Sequence, residues 1–291
     1  MCENDDFDAF ARQPLPLTRR TFCLMTLGAG MMAAFPGLAA SSVETKGQDV
    51  AIKTPAGTAD AYFVHPAKGK HPGVLIWPDI FGLRPAFKDM ATRLAQSGYA
   101  VLVINPFYRT QHAPTAAEHA DINDPDTRKA LMALHDTLNA DTMQVDAKAF
   151  VAFLDQQPAV DTRRKLGTMG YCMGGPQVFV TAASVPDRIG AGATFHGGGL
   201  ATDKPDSPHL LIPRMKAQFL IAIAASDDAK DPKAKDTLRD AFAKAKLPAE
   251  IEVYAGTKHG WCPTDSAVYD HDQAEKAWGR MLVLFGRALA G

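Results

Sequence analysis

The sequence has little cysteine, four residues in 291, and no two of them stand in a C-x-x-C spacing. It also lacks an H-E-x-x-H segment and any tight cluster of His and Asp. A structural zinc site is therefore not expected, and the chain calls for no metal or cofactor. An excess of one charge is missing too: 31 basic against 32 acidic residues leave a formal net charge of −1. That balance projects no field that would gather nucleic acid or an anionic membrane surface. Absent as well are a Gly-rich phosphate loop followed by Lys, internal repeats and low-complexity tracts, which argues against P-loop nucleotide binding and a solenoid. What is present is an ordinary globular composition, 46% hydrophobic and 22% charged. It suffices for the core of one large α/β domain.

Residues 1–40 do not read as part of that domain. A polar stretch ends in "LTRRTF", with Arg19 and Arg20 adjacent, and an uncharged run rich in Gly, Ala and Met follows from Phe22 to Ala40. Small residues in "GLAASS" offer a cleavage point near Ala39 or Ala40. The order of charged region, apolar region and small-residue exit is that of an export signal, and the paired arginines resemble the twin-arginine type. The expectation is a cleaved signal, a periplasmic or secreted product and no stable membrane association. The uncharged run could otherwise serve as an anchor, but its Gly residues and Pro36 weaken that reading. Cleavage would leave only Cys172 and Cys262, in a compartment where disulfides can form.

Beyond residue 45 the chain alternates two kinds of segment. Short apolar runs read as buried strands: "AYFVH", "GVLIWP", "YAVLVINP", "KLGTMGYC", "GAGATFHG", "AQFLIAIA" and "EIEVYAG". Between them "RPAFKDMATRLAQSG", "MQVDAKAFVAFLDQQ", "KDTLRDAFAKAK" and "AEKAWGRMLVLFGRALA" carry apolar residues at helical spacing. The alternation predicts one α/β domain over 45–291, a mostly parallel sheet covered by helices on both faces. The polar stretch from Arg109 to Gln144 predicts excursions or short helices near the site.

The informative segment is "GTMGYCMGG", residues 167–175. A strand run leads into Gly170-Tyr171-Cys172-Met173-Gly174, and a helical segment, "PQVFVTAAS", follows. In a nucleophile elbow the central residue sits on a strained turn, small neighbours avoid a clash, and the helix N-terminus favours a nearby anion. After the nucleophile the fold's chain order is acid, then histidine. "IAIAASDDAKDP" offers Asp227 and Asp228, and "VYAGTKHGW" offers His259 in a loop between two glycines. His196 and His209 precede the Asp loop and fit the base role less well. His196 is expected to line the pocket.

At these residues the chain resembles the dienelactone hydrolase family of α/β-hydrolases. The carrying segments are "WPDIFGLRPAFKDMATRLAQSGYAVLVINPFYR", "GTMGYCMGG", "FHGGGLATDKPDSPHL" and "YAGTKHGW". The resemblance implies Cys172 as nucleophile, His259 as base and Asp228 as orienting acid, since the family's acid stands four residues before a proline, here Pro232. It implies an oxyanion hole from the backbone N–H groups of Ile80 and Met173. It implies that Asp79 contacts the resting thiol, where the family carries the longer Glu. It places Tyr108, Arg109 and Trp261 at the pocket, Arg109 matching the first of two arginines that hold a substrate carboxylate. Pro263 stands where the second would be, so a neutral substrate is expected to fare as well as an anionic one.

The expectation is a monomeric hydrolase that cleaves small esters or lactones through a cysteine acyl-enzyme. Two other readings stay open on the sequence. One is a thiol redox protein in which Cys262 resolves an oxidised Cys172, and the other a non-catalytic small-molecule binder on a hydrolase scaffold.

Overall fold

Strand-forming runs and amphipathic segments alternate from residue 45 onward, and the computed structural model shows where each goes. It describes residues 43–290; the export signal expected over 1–40 lies outside the described residues. The strands are β1 (Thr45–Thr54), β2 (Gly57–Pro66), β3 (Gly73–Trp77), β4 (Ala100–Ile104), β5 (Leu166–Tyr171), β6 (Ile189–Phe195), β7 (Gln218–Ala224) and β8 (Ala249–Tyr254). They form one sheet in the order β1-β2-β4-β3-β5-β6-β7-β8. β1 pairs antiparallel with β2 and β2 antiparallel with β4; all other pairings are parallel. Strands β3, β4 and β5 are buried at every residue, as continuous apolar runs in a doubly covered sheet must be.

The helices are α1 (Pro85–Gln96), α2 (Pro125–His135), α3 (Ala140–Asp155), α4 (Gly174–Ser184), the short α5 (Ala225–Lys230), α6 (Ala234–Ala245) and α7 (His271–Ala288). On one face of the sheet Phe150 of α3, Phe179 of α4 and Phe242 of α6 pack with Trp77 and Phe219. On the other, Phe87 and Leu94 of α1 meet Trp278 and Phe285 of α7 against Tyr171 and Phe195. The two apolar layers hold the sheet flat-on between helices, so its C-terminal edge is left for the loops that follow β3, β5, β7 and β8. That edge is where ligands bind in open parallel sheets. Among the described residues no helix is long and apolar enough to cross a membrane.

The seven expected strands and the helical segments all form. β1 was not anticipated: it is polar and largely exposed, and its backbone bonds come from a hairpin in which Thr54 pairs with Gly57. The polar stretch 109–144 holds α2 and the first turn of α3, each started by a side-chain cap. Asp124 accepts from the Thr127 N–H, and Asn139 and Thr142 form a reciprocal capping box.

Candidate active site

β5 runs straight into the turn that holds Cys172. The cysteine has φ +52°, a left-handed conformation that costs a non-Gly residue on the order of 1–3 kcal/mol. Surrounding bonds hold it there: the Cys172 N–H donates to Phe195 O at 3.0 Å, and Cys172 O accepts from the Gly175 N–H at 3.0 Å. Two glycines make the turn possible. A Cβ at Gly170 would run into the Gly174 carbonyl, and one at Gly174 into the Trp77 carbonyl at the end of β3. The sequence G-x-C-x-G is thus an elbow pressed against the neighbouring strand, with α4 starting just behind the thiol.

The loop after β8 brings His259 to the same edge. Gly256 and Gly260 take φ values of +76° and +94°, which lets the loop fold tightly on either side of the histidine. Its backbone is stitched to the start of α5: Ala225 N–H donates to Thr257 Oγ1 (3.1 Å), Ser226 N–H to Thr257 O (3.1 Å), and His259 N–H to Ser226 Oγ (2.9 Å). The half-buried imidazole then spans two partners, with Nε2 3.0 Å from Cys172 Sγ and Nδ1 2.6 Å from Asp227 Oδ2. Burial pulls its pKa down, but the hydrogen bonds to Asp227 and Cys172 and the charge of both outweigh that and push it up to about 10.

The carboxylate beside His259 is therefore Asp227, which corrects the choice of Asp228. Successive residues of α5 point roughly 100° apart, and Asp228 turns to α6, where Lys235 Nζ donates to both its oxygens at 2.6 and 2.9 Å. Counting back from Pro232 missed this. Ser226 and Thr257, which fix the register between the two loops, were not anticipated either; a hydroxyl one residue before Asp227 and another two residues before His259 were the available signal.

Ile80 and Met173 flank the thiol. Both belong with Cys172, Phe107 and Leu134 to a small apolar cluster above the sheet. Among the described residues, neither backbone N–H has an acceptor, while the neighbouring Phe81 N–H is taken by Asp79 Oδ1 and the Gly175 N–H by Cys172 O.

Asp79 does not reach the thiol. Arg84 grips both its oxygens, at 2.6 and 2.9 Å, and the same guanidinium grips Asp265 at 2.7 and 3.0 Å. Arg109 and Tyr108 are not pocket residues: Arg109 is bidentate to Asp146 of α3 at 2.7 and 2.8 Å, and the Tyr108 hydroxyl donates to the same carboxylate at 2.7 Å. Asp146 is 2% exposed. It went unnoticed in the sequence because it sits within an apolar helical stripe. Trp261 is fully buried against Tyr254 in the layer under α7, so it is a core residue.

His196 does line the cleft that also holds Cys172 and His259. Its ring lies edge-to-face with that of His259, centroids 5.1 Å apart, and neither of its nitrogens has a partner among the described residues. Burial first, and the His259 charge second, hold its pKa well below the usual value, so it is a neutral wall beside His259. Cys172 and Cys262 are both free thiols. Among the described residues no group of three or more His, Cys, Asp or Glu is placed to hold a metal ion.

Strand, strained cysteine turn and helix, then a carboxylate after β7 and a histidine after β8, is the arrangement of an α/β-hydrolase. Comparison with known proteins agrees. The model of the dienelactone hydrolase family matches residues 59–289. A carboxymethylenebutenolidase of Rhodococcus opacus is 26% identical over 250 residues, covering 81% of this chain and 90% of that protein. Two solved structures share the fold. A dienelactone hydrolase-like promiscuous phosphotriesterase from metagenomic libraries has a TM-score of 0.70 at 21% identity, covering 84% of this chain and 99% of that one. The dienelactone hydrolase of Anabaena variabilis has a TM-score of 0.60 at 17% identity, with 84% and 99% covered. The chain belongs to the dienelactone hydrolase family of α/β-hydrolases, enzymes that act on the ester bond of lactones.

Proposed function

We propose that this hydrolase cleaves small, uncharged esters or lactones through a thioester on Cys172, with His259 as proton carrier and Asp227 as the group that orients it. The observation that carries the reading is the continuous chain from Cys172 Sγ to His259 (3.0 Å) to Asp227 (2.6 Å). With Nδ1–H donated to Asp227, Nε2 is left facing the sulfur, the geometry of a nucleophile, a base and an orienting acid. Protonated at Nε2, the ring provides the counter-charge for a thiolate.

The thiolate attacks the carbonyl carbon, and the C=O electron pair moves to oxygen, to which the N–H groups of Ile80 and Met173 donate as its charge develops. Collapse breaks the C–O bond; the leaving alkoxide takes the Nε2 proton of His259. In a lactone that alcohol stays tethered to the acyl group. Water then gives a proton to His259 and attacks the thioester carbon. The thiolate leaves, and the hydroxy acid departs. No electron is gained or lost, so a second thiol has no part in the cycle.

The substrate class rests on the arginines. Arg109 spends its fork on Asp146, and position 263 is proline. A substrate carboxylate lacks both clamps. Hydrolysis of p-nitrophenyl acetate and of hemisuccinate esters of the same alcohol, in the parent and in Arg109→Met, tests this. We expect kcat/KM for the neutral ester to equal or exceed that for the anionic one. We also expect Arg109→Met to lose about 3 kcal/mol of folding stability, because it strands a buried carboxylate, with KM unchanged. An anionic preference abolished by Arg109→Met would contradict the reading.

Export of the folded chain by the twin-arginine route is proposed on the strength of Arg19 and Arg20. Replacing both by Lys should hold the protein in the cytoplasm, and an unchanged periplasmic fraction would refute it.

A further inference from the structure

We propose that Arg84 is a positioning residue for the oxyanion pocket: its guanidinium clamps the turn that carries the Ile80 N–H to the loop that carries His259. The proposal rests on the cysteine-hydrolase reading above, in which Ile80 supplies one of two donors to the developing oxyanion.

Arg84 has five N–H donors, and all five are engaged. Nε and one hydrogen of Nη2 go to Asp265, at 2.7 and 3.0 Å. The other Nη2 hydrogen and one on Nη1 go to Asp79, at 2.9 and 2.6 Å, and the last faces Gly82 O at 3.4 Å. None is left for a substrate, although the side chain lines the same cleft as Cys172 and His259. Whatever it contributes to the reaction passes through the residues it holds.

Those residues belong to the two halves of the site. Asp79 precedes Ile80 and organises the turn around it: its Oδ1 accepts the Phe81 N–H at 3.0 Å, and its carbonyl accepts the Gly82 N–H at 2.9 Å. The Phe81 and Gly82 amides are thereby consumed inside the turn, while the Ile80 N–H has no acceptor among the described residues. Asp265 lies six residues beyond His259, in the loop between β8 and α7. The guanidinium is also held between rings, 4.8 Å from the centroid of Phe87 and 5.4 Å from that of Phe81. With the Arg84 and Asp79 side chains only 17% and 9% exposed, the charges are weakly screened. Remove the cation and two carboxylates face each other across the site, so the turn and the histidine loop repel. The start of α1 does not depend on this side chain, since Arg84 makes no side-chain capping bond there.

The test uses two readouts of Cys172 chemistry that differ only in the oxyanion. Hydrolysis of p-nitrophenyl acetate passes through one; alkylation of the thiolate by iodoacetamide, a displacement at a saturated carbon, does not. For Arg84→Met we expect kcat to fall about 30-fold, a large part of one oxyanion donor. KM should stay within about threefold and the alkylation rate within about twofold. Arg84→Lys, which cannot fork to both carboxylates, should recover part of kcat. Asp265→Asn, at a carboxylate 39% exposed, should lower kcat in the same direction and by less, and it decides the matter if Arg84→Met does not fold. Full kcat in both variants would overturn the proposal. So would alkylation falling in step with kcat, since the effect would then lie on the thiol and its base. An alkylated parent that still hydrolyses the ester would instead sink the Cys172 reading, and this proposal with it.

Discussion

Cys172 and Cys262 are the two thiols of the described residues, and they occupy opposite chemical worlds. Cys172 sits at the C-terminal edge of the sheet on a left-handed turn, 3.0 Å from a histidine that keeps its proton to about pH 10. Cys262 follows that histidine by only three residues, yet its side chain lies under α7, beside a small cavity walled by Tyr171, Phe195, Tyr269 and Trp278. Burial pushes the Cys262 thiol well up from its ordinary pKa. Proximity in sequence to a catalytic loop therefore says little about reactivity. What separates the two is a strained backbone that lifts one sulfur toward the His259 imidazole and an apolar layer that seals the other.

The sharpest break in this comparison is deletion. Cys172→Ala and His259→Ala should each lower esterase kcat by at least about 10³-fold, the scale on which triad members are lost, with the circular dichroism of the parent. A Cys172→Ala protein with half the parental rate would erase the distinction between the thiols.

A second test separates the adjacent aspartates. Asp227→Asn should cost about 10²-fold or more in kcat, because the imidazole loses the carboxylate that fixes its tautomer. Asp228→Asn breaks only a contact to Lys235 and should leave kcat within about twofold. Equal losses would mean that the geometry of α5 does not matter to the reaction.

The pH profile sharpens the account of the base. The His259 pKa is raised from 6.5 to about 10, so on the proposed mechanism the imidazolium that would protonate the leaving group persists through neutral pH. The rate should hold there and fall as pH rises through about 10. Asp227→Asn removes a cause of the increase, so the fall should move to lower pH. An unshifted limb would separate it from His259.

The smallest effect is expected at the second thiol. Cys262→Ser should change kcat by less than about twofold, and mild oxidation should leave both Cys172 and Cys262 as free thiols in the parent. Activity lost on oxidation and regained with dithiothreitol in the parent, but unaffected by oxidant in the variant, would establish a switch that the burial of Cys262 argues against.

Much of this was legible beforehand. The apolar runs of β2 to β8 marked the sheet, and G-x-C-x-G between strand and helix marked the elbow, because hydrophobic period and glycine sterics are local properties. Partner choice was not local. Asp227 and Asp228 are adjacent, and only the starting point of α5, set by bonds to Thr257 and His259, decides which one faces the imidazole. Arg109 looked free for a substrate until α3 supplied Asp146 from a helix whose stripe reads as purely apolar. Asp79 looked available to the thiol until Arg84, a helix-entry residue five positions on, took both its oxygens.

The central claim is the covalent intermediate, and it has a direct measurement. Protein mixed with p-nitrophenyl acetate, quenched in acid within milliseconds and digested, should yield one acetyl group on the peptide containing Cys172. The adduct should be absent in Cys172→Ala and more abundant in Asp227→Asn if deacylation slows most. An unmodified Cys172 peptide under conditions where the parent turns over, or an acetyl group on another residue that forms and decays at the catalytic rate, would contradict the account.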